Sequence, residues 1–287
     1  MGIGLMCAAL ICFSCLDATA KWLNRSVDPL LTVWWRYAAS VAMVSFLINP
    51  WTTPGVIRTN RFWLQVIRSM LLFLSTVANF IALQYLQLAE TVSIVFSTPL
   101  MVALIAGPLL GEWVGPRRLI AIGLGFVGVL IVTRPGMGSM HPAALLSVGG
   151  SVAYAFYALT TRILAAHDSS QTTMVYSGLA GLALMTPLLP WLWTTPDSLT
   201  AWGLFLSLGL YGAFGHWLLI LAHARAPAAI LSPFIYSQIL WMLALGYFVF
   251  GDWPDLWTLI GSSVVIASGL YLLYRERVRH VEPKVPA

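Results

Sequence analysis

Ten stretches of this 287-residue chain are each apolar for close to the length that a helix needs to cross a bilayer, about 20 residues. They run over 3–22, 30–48, 62–85, 88–110, 119–133, 142–164, 172–193, 199–222, 226–250 and 256–274. Hydrophobic residues make up 59% of the chain and charged residues 9%. A water-soluble domain carries about 25% charged residues, so this composition cannot cover a water-facing surface, and lipid is the expected solvent. The runs lack the alternation of barrel strands, so they read as helices. Turn chemistry separates them at Asp28-Pro29, Thr53-Pro54-Gly55, Gly115-Pro116, Arg134-Pro135-Gly136 and Thr195-Pro196-Asp197.

The runs fall into two similar halves. Leu110-Gly111-Glu112-Trp113 closes the fourth, and Phe250-Gly251-Asp252-Trp253 closes the ninth. The run after each contains Val127-Gly128-Val129-Leu130-Ile131 in the first half and Ser268-Gly269-Leu270-Tyr271-Leu272 in the second. Alternate loops differ in charge. One set holds Arg58, Arg61, Arg117, Arg118, Arg225 and the tail's Arg275, Arg277, Arg279 and Lys284, with Arg162 at its edge. The other holds Arg25 and Arg134, with Asp28, Asp197, Asp252 and Asp255. The basic side is cytoplasmic by the positive-inside rule, which puts both termini inside. Five helices per half is an odd number, so the second half is inverted. The expected fold is an all-α membrane protein of ten transmembrane helices in two inverted five-helix repeats, 2–135 and 142–275, followed by a cytoplasmic tail over 276–287. Most of the Trp residues, Trp22, Trp113 and Trp253 among them, lie near run ends, where an interfacial belt belongs. Trp217 and Trp241 lie deeper.

Several functions fall away. Cys7, Cys12 and Cys15 cluster in the first run without acidic or His neighbours, so they read as helix-packing residues rather than a disulfide framework or metal site. The net charge of +5 sits in loops and tail, which speaks to orientation and not to nucleic acid. No G-x-S-x-G, H-E-x-x-H or pair of membrane aspartates is present, so no enzyme is expected, and no cofactor or metal.

Two five-helix halves, each with a Gly-acid pair before a Gly-containing last helix, resemble the EamA-type carriers of the drug/metabolite transporter superfamily. In that family the fourth helix carries a Pro some distance before the acid. Pro99 stands so before Glu112, whereas Ile239 fills the slot in the second half and Pro233 lies earlier. Among members, the chain most resembles bacterial inner-membrane exporters of aromatic and other neutral amino acids. The resemblance implies a monomeric carrier in the lipid bilayer that exports amino acids or similar small metabolites by alternating access. The alternative is a drug or organic-cation exporter.

Candidate site residues follow from the repeat. Thr76 aligns with His216, and Phe96-Ser97 with Tyr236-Ser237, all mid-helix near the pseudo-twofold axis, where such carriers bind cargo. Asn79 and Phe80 share a helix with Thr76, and Tyr154 and Tyr157 lie on the sixth run. With Trp217 and Trp241 these residues are expected to wall an apolar cavity with a few polar points. His216 is either a packing residue or a ligand or proton group. A charge at the bilayer centre costs about 2.5–3.5 kcal/mol, so each needs a reason. Asp17 and Lys21 share a helix face and read as structural anchors or as a gate. Arg36 and Arg68 read as snorkelling or capping residues. Helices one, three, four, six, eight and nine should enclose the cavity, with the fifth and tenth outside it.

Overall fold

The computed structural model describes residues 2–48, 55–111, 115–134, 141–164, 167–196, 198–225 and 232–281, and these contain helices and turns with no strand. The helices are α1 (Gly2–Leu23), α2 (Pro29–Leu47), α3 (Phe62–Tyr85), α4 (Leu88–Val95), α5 (Thr98–Leu110) and α6 (Pro116–Thr133). The second half supplies α7 (Ala143–Leu164), α8 (Ser170–Met185), α9 (Leu189–Leu192), α10 (Leu199–Arg225), α11 (Gln238–Leu245) and α12 (Leu256–Val281). Six segments have the length and hydropathy of a membrane span: Gly2–Leu23, Phe62–Tyr85, Leu88–Leu109, Ala143–Leu164, Gln171–Leu192 and Leu256–Arg275. Shorter apolar helices cover Leu119–Thr133 and Phe234–Phe250. Large apolar side chains such as Phe46, Phe248 and Leu199 stand exposed on the outside, whereas Ser14, Thr32, Gln65, Arg68 and Ser93 are buried. This inverted distribution suits a protein solvated by lipid.

Local chemistry explains the ends. The Asp28 carboxylate accepts a 2.7 Å hydrogen bond from the Leu30 amide, and Pro29 opens α2 where its missing N–H costs nothing. Ser169 caps α8 by accepting from the Thr172 amide. Glu90, which by sequence lies near an end, accepts from the Gln87 amide at 2.9 Å and caps α4. Gly111 and Gly251, the paired glycines of the two halves, close α5 and the π-turn over Gly246–Phe250 at φ 74° and 71°. A side chain there would be strained, which is why Gly stands at both points. Glu112, expected to close the first hairpin, lies outside the described residues.

Three runs expected as continuous helices are broken. The fourth breaks between α4 and α5 at Phe96-Ser97, just before Pro99, which has no N–H to donate. Ser97 donates to the Ile94 carbonyl at 2.6 Å and takes up part of the lost pairing. The seventh passes through a 3₁₀ turn at Thr186–Leu188, which contains Pro187, before α9. The ninth is described from residue 232, beginning as a 3₁₀ turn, Ser232–Ser237, that leads into α11. There Ser237 donates to the Phe234 carbonyl at 2.6 Å, in the same manner as Ser97. The tenth continues to Val281, into the expected tail.

The helices pack in matched pairs. α1 lies against α10, and α3 against α7; α2 lies against α10 and α8, and α3 also against α8; α6 pairs with α12. The α6–α12 crossing brings backbone to backbone. A Cβ on Gly128 would stand 2.9 Å from the Gly261 carbonyl oxygen, and one on Gly261 would stand 2.7 Å from that of Gly128. Without a hydrophobic drive between helices in lipid, such close approach is what holds them together. Gly128→Val should therefore lower the thermal unfolding midpoint in detergent, at a cost of about 1–3 kcal/mol for overpacking. Gly123→Ala on the same helix meets nothing within 4 Å and should leave the midpoint unchanged.

Candidate substrate cavity

The break in the fourth run and the 3₁₀ turn of the ninth meet at the centre. The Phe96 and Tyr236 rings lie 5.0 Å apart at 77°, edge to face. Beside them lies a cavity of about 290 Å³. It is lined from α1 by Met6, Leu10, Phe13, Leu16 and Asp17, and from α2 by Arg36. Leu72, Ser75, Thr76, Asn79 and Phe80 of α3 and Thr91, Phe96, Thr98 and Pro99 around the break add a second wall. Ser147, Gly150, Ser151 and Tyr154 of α7, His216 and Leu219 of α10, and Ile235 and Gln238 complete it. α6 and α12 contribute no lining residue. A second cavity of about 530 Å³ adjoins it, sharing Arg36, Leu72, His216 and Leu219. This one runs past Tyr157, Arg68 and Thr173 to Ile57 and Asp168.

The polar groups are held through α3. Asn79 donates to the Asp17 carboxylate at 3.1 Å. Arg36 donates to the Thr76 hydroxyl at 2.7 Å, and Tyr37 donates to the same oxygen at 2.9 Å. Thr76 in turn donates to the Leu72 carbonyl. The Arg36 guanidinium lies 4.9 Å from the Tyr37 ring and 5.9 Å from that of Phe80. His216 meets Phe13 edge to face at 5.0 Å. Arg68, fully buried, donates to Ser177 and to the Thr173 carbonyl and lies over Tyr157. Among the buried polar atoms without a hydrogen-bond partner, Arg36 Nε, Asn79 Oδ1, Thr98 Oγ1 and Ser147 Oγ belong to residues lining the central cavity. Several side chains around the cavity, Asp17, Arg36, Thr76 and Asn79 among them, are polar, which suits a ligand that carries polar groups.

The candidates drawn from sequence divide. Thr76, Asn79, Phe80, Phe96, Tyr154 and His216 line the central cavity, and Tyr157 lines the second. Ser97 is buried and occupied with the Ile94 carbonyl. Tyr236 is also buried; its ring fills the space that a Cβ on Gly269 would need, so it is a packing residue between the halves. Trp217 and Trp241 are 45% and 38% exposed and line neither of these cavities. Depth along a helix does not report which side of it a residue occupies. Arg36 lines both cavities, and Gln238, Thr98, Ser147 and Ser151, which the sequence does not mark, line the central one. Small hydroxyl residues carry no distinguishing pattern in an apolar run.

Lys21 belongs to one end of the bundle rather than to the cavity. Its ammonium lies 3.4 Å from the Asp252 carboxylate and donates to the Leu86 carbonyl at 2.6 Å. Asn24 donates to the Phe80 carbonyl at 2.7 Å, and Arg134 pairs with Asp255 at 2.6 Å. The opposite end is held by Asp168, which accepts from Thr59, from the Asn60 amide at 3.0 Å and from Gln65 at 2.9 Å.

A cavity with unpaired polar atoms, walled by helices whose outer faces are apolar, is the build of a membrane carrier. The EamA-like transporter family matches residues 1–134 and again 141–275. The chain belongs to this family. It is 24% identical over 278 residues to an S-adenosylmethionine uptake transporter of Rickettsia bellii, covering 96% of this chain and 94% of that protein. It is 27% identical over 276 residues to a riboflavin transporter of Vibrio cholerae, covering 93% and 91%. A solved crystal structure at 17% identity superposes with a TM-score of 0.63, covering 96% of this chain and 99% of its own, and so has the same fold. These relatives are named for S-adenosylmethionine and riboflavin, so the resemblance to aromatic amino-acid exporters is not carried by them. The protein is a multi-pass membrane transporter of small molecules.

Two predictions follow from the geometry. Trp217→Ala should leave transport rates near wild type, whereas Tyr154→Ala, which opens the cavity wall, should reduce them by about tenfold, equivalent to ~1.4 kcal/mol. Initial rates in proteoliposomes compare the two. Burial pushes the Asp168 carboxyl up, but the hydrogen bonds from Thr59, Asn60 and Gln65, with His167 nearby, outweigh it and hold the group below its usual value. A depressed carboxyl contributes stability above its unfolded pKa of about 3.9, and that contribution disappears as pH falls through the folded value. Protection of the 57–61 amides, taken relative to their intrinsic exchange rate at each pH, should therefore fall below about pH 4. Asp168→Asn should show the lower protection already at neutral pH.

Proposed function

We propose that the protein is a ten-helix carrier built from two inverted repeats, 2–135 and 142–275, with both termini on the cytoplasmic side of a bacterial inner membrane. It works as a monomer and moves small metabolites, amino acids or compounds like them, by alternating access through the central cavity. The observation that carries this reading is the cavity itself, lined by Asp17, Arg36, Asn79 and His216 in the middle of an apolar helical bundle. The inverted repeat is supported by the exchange of partners in packing. α1 on α10 mirrors α7 on α3, and α2 on α10 mirrors α8 on α3. The loop after α2 carries Arg58 and Arg61, so the second cavity faces the cytoplasm, and the Lys21–Asp252 pair closes the outer end. In this state the site is accessible from inside.

Organic-cation export is the second reading, favoured by the Asp17 carboxylate in the lining. Uptake and counterflow by purified protein in liposomes separate the two, with and without a pH gradient. The panel contains aromatic amino acids, S-adenosylmethionine, riboflavin and quaternary ammonium dyes. Saturable flux of a metabolite, lost in Ser147→Phe while the unfolding midpoint is kept, is the expected result. Flux confined to the dyes would favour the second reading, and absence of flux for every compound would defeat both. Reporter fusions after Pro135 should read as outside and after Leu273 as inside, and the reverse would remove the inverted arrangement.

A further inference from the structure

We propose that Asp17 and Arg36 are the two poles of a site that selects zwitterionic cargo, Asp17 with Asn79 receiving a cationic group and Arg36 an anionic one. The inference rests on the carrier reading above and names the charge class of its cargo.

Both side chains line the same cavity. Ion pairs among the described residues join Lys21 to Asp252 and Arg134 to Asp255, and neither Asp17 nor Arg36 belongs to them. Ionisable groups inside a membrane protein are costly without a countercharge, and these two lie within electrostatic reach of each other without closing into an ion pair. Each is hydrogen-bonded instead to a neutral side chain of α3. Asn79 donates to Asp17, and Thr76 accepts from Arg36. These neutral holders are three residues apart on one face of α3, so both poles open on the same cavity, as the ammonium and carboxylate of one small zwitterion would require.

Asp17 and Arg36 are each only partly buried, so both side chains reach the cavity that they line. A guanidinium that has given one N–H to Thr76 keeps further donors in its planar fork for a carboxylate. Thr76 cannot itself take another donor readily, because its oxygen already accepts from Arg36 and Tyr37 and donates to Leu72. A cargo of either single charge satisfies one pole and leaves the other bare, which is how the site would discriminate.

The test measures proteoliposome uptake of phenylalanine against two analogues that each lack one charge, phenethylamine and 3-phenylpropionate. S-adenosylmethionine against its decarboxylated form is a second pair. Wild-type protein should take up the zwitterion about tenfold or more faster than either single-charge analogue. Arg36→Gln should bring the zwitterion-to-amine ratio towards one, and Asp17→Asn should do the same for the zwitterion-to-acid ratio. Arg36→Lys, which keeps the charge but loses the planar fork, should retain part of the discrimination. Unfolding midpoints check that the variants are folded; where one is not, the wild-type ratios and Arg36→Lys decide. Wild-type uptake of all three compounds at similar rates would overturn the inference while leaving the carrier reading intact. Variants that slow every cargo by one common factor would do the same. No uptake of any compound, including the metabolites of the wider panel, would defeat the carrier reading and this inference with it.

Discussion

Everything in this fold depends on the absence of water between its helices. In lipid, each backbone and side-chain polar group has to find its partner inside the protein, and burial of apolar surface no longer pulls helices together. The structure meets the first demand through hydroxyls that fold back on their own helix, such as Ser14, Ser93 and Ser151, and through Arg68, which is fully buried and bonded to α8. It meets the second through backbone contact at Gly128 and Gly261 and through Gly181, where a Cβ would stand 2.3 Å from the Tyr37 ring. Against that background Asp17 and Arg36 stand out as ionisable side chains that line a cavity and are joined to no ion pair.

The centre of the molecule is organised by two breaks. Pro99 interrupts the fourth run at Phe96-Ser97, and the ninth enters as a 3₁₀ turn that ends at Tyr236-Ser237. Each serine returns its hydroxyl to a carbonyl three residues back, and the two aromatic rings meet edge to face. Phe96 reaches the cavity, whereas Tyr236 is spent on Phe96 and Gly269. Phe96 and Tyr236, adjacent as they are, therefore do different work. The ends differ too. One is closed by ion pairs, Lys21 with Asp252 and Arg134 with Asp255, and the other is tied by neutral donors on the single carboxylate of Asp168.

Composition and apolar run length determined by themselves that this chain is helical and lives in a membrane, since no other solvent accepts a chain with 9% charged residues. The paired Gly111 and Gly251 were legible because a helix ending in left-handed backbone selects Gly whatever surrounds it. The exclusion of α6 and α12 from the lining agrees with their small-residue patterns, which suit close helix contact. What the tertiary structure alone decided is the direction each side chain faces. Trp217 sits next to His216 in sequence, yet His216 lines both cavities and Trp217 stands exposed, because neighbours on a helix point about 100° apart. Arg36 looks like any arginine two turns into a span until α3 places Thr76 against it. An apolar run without polar periodicity has no marked inner face, and only packing against other helices assigns one.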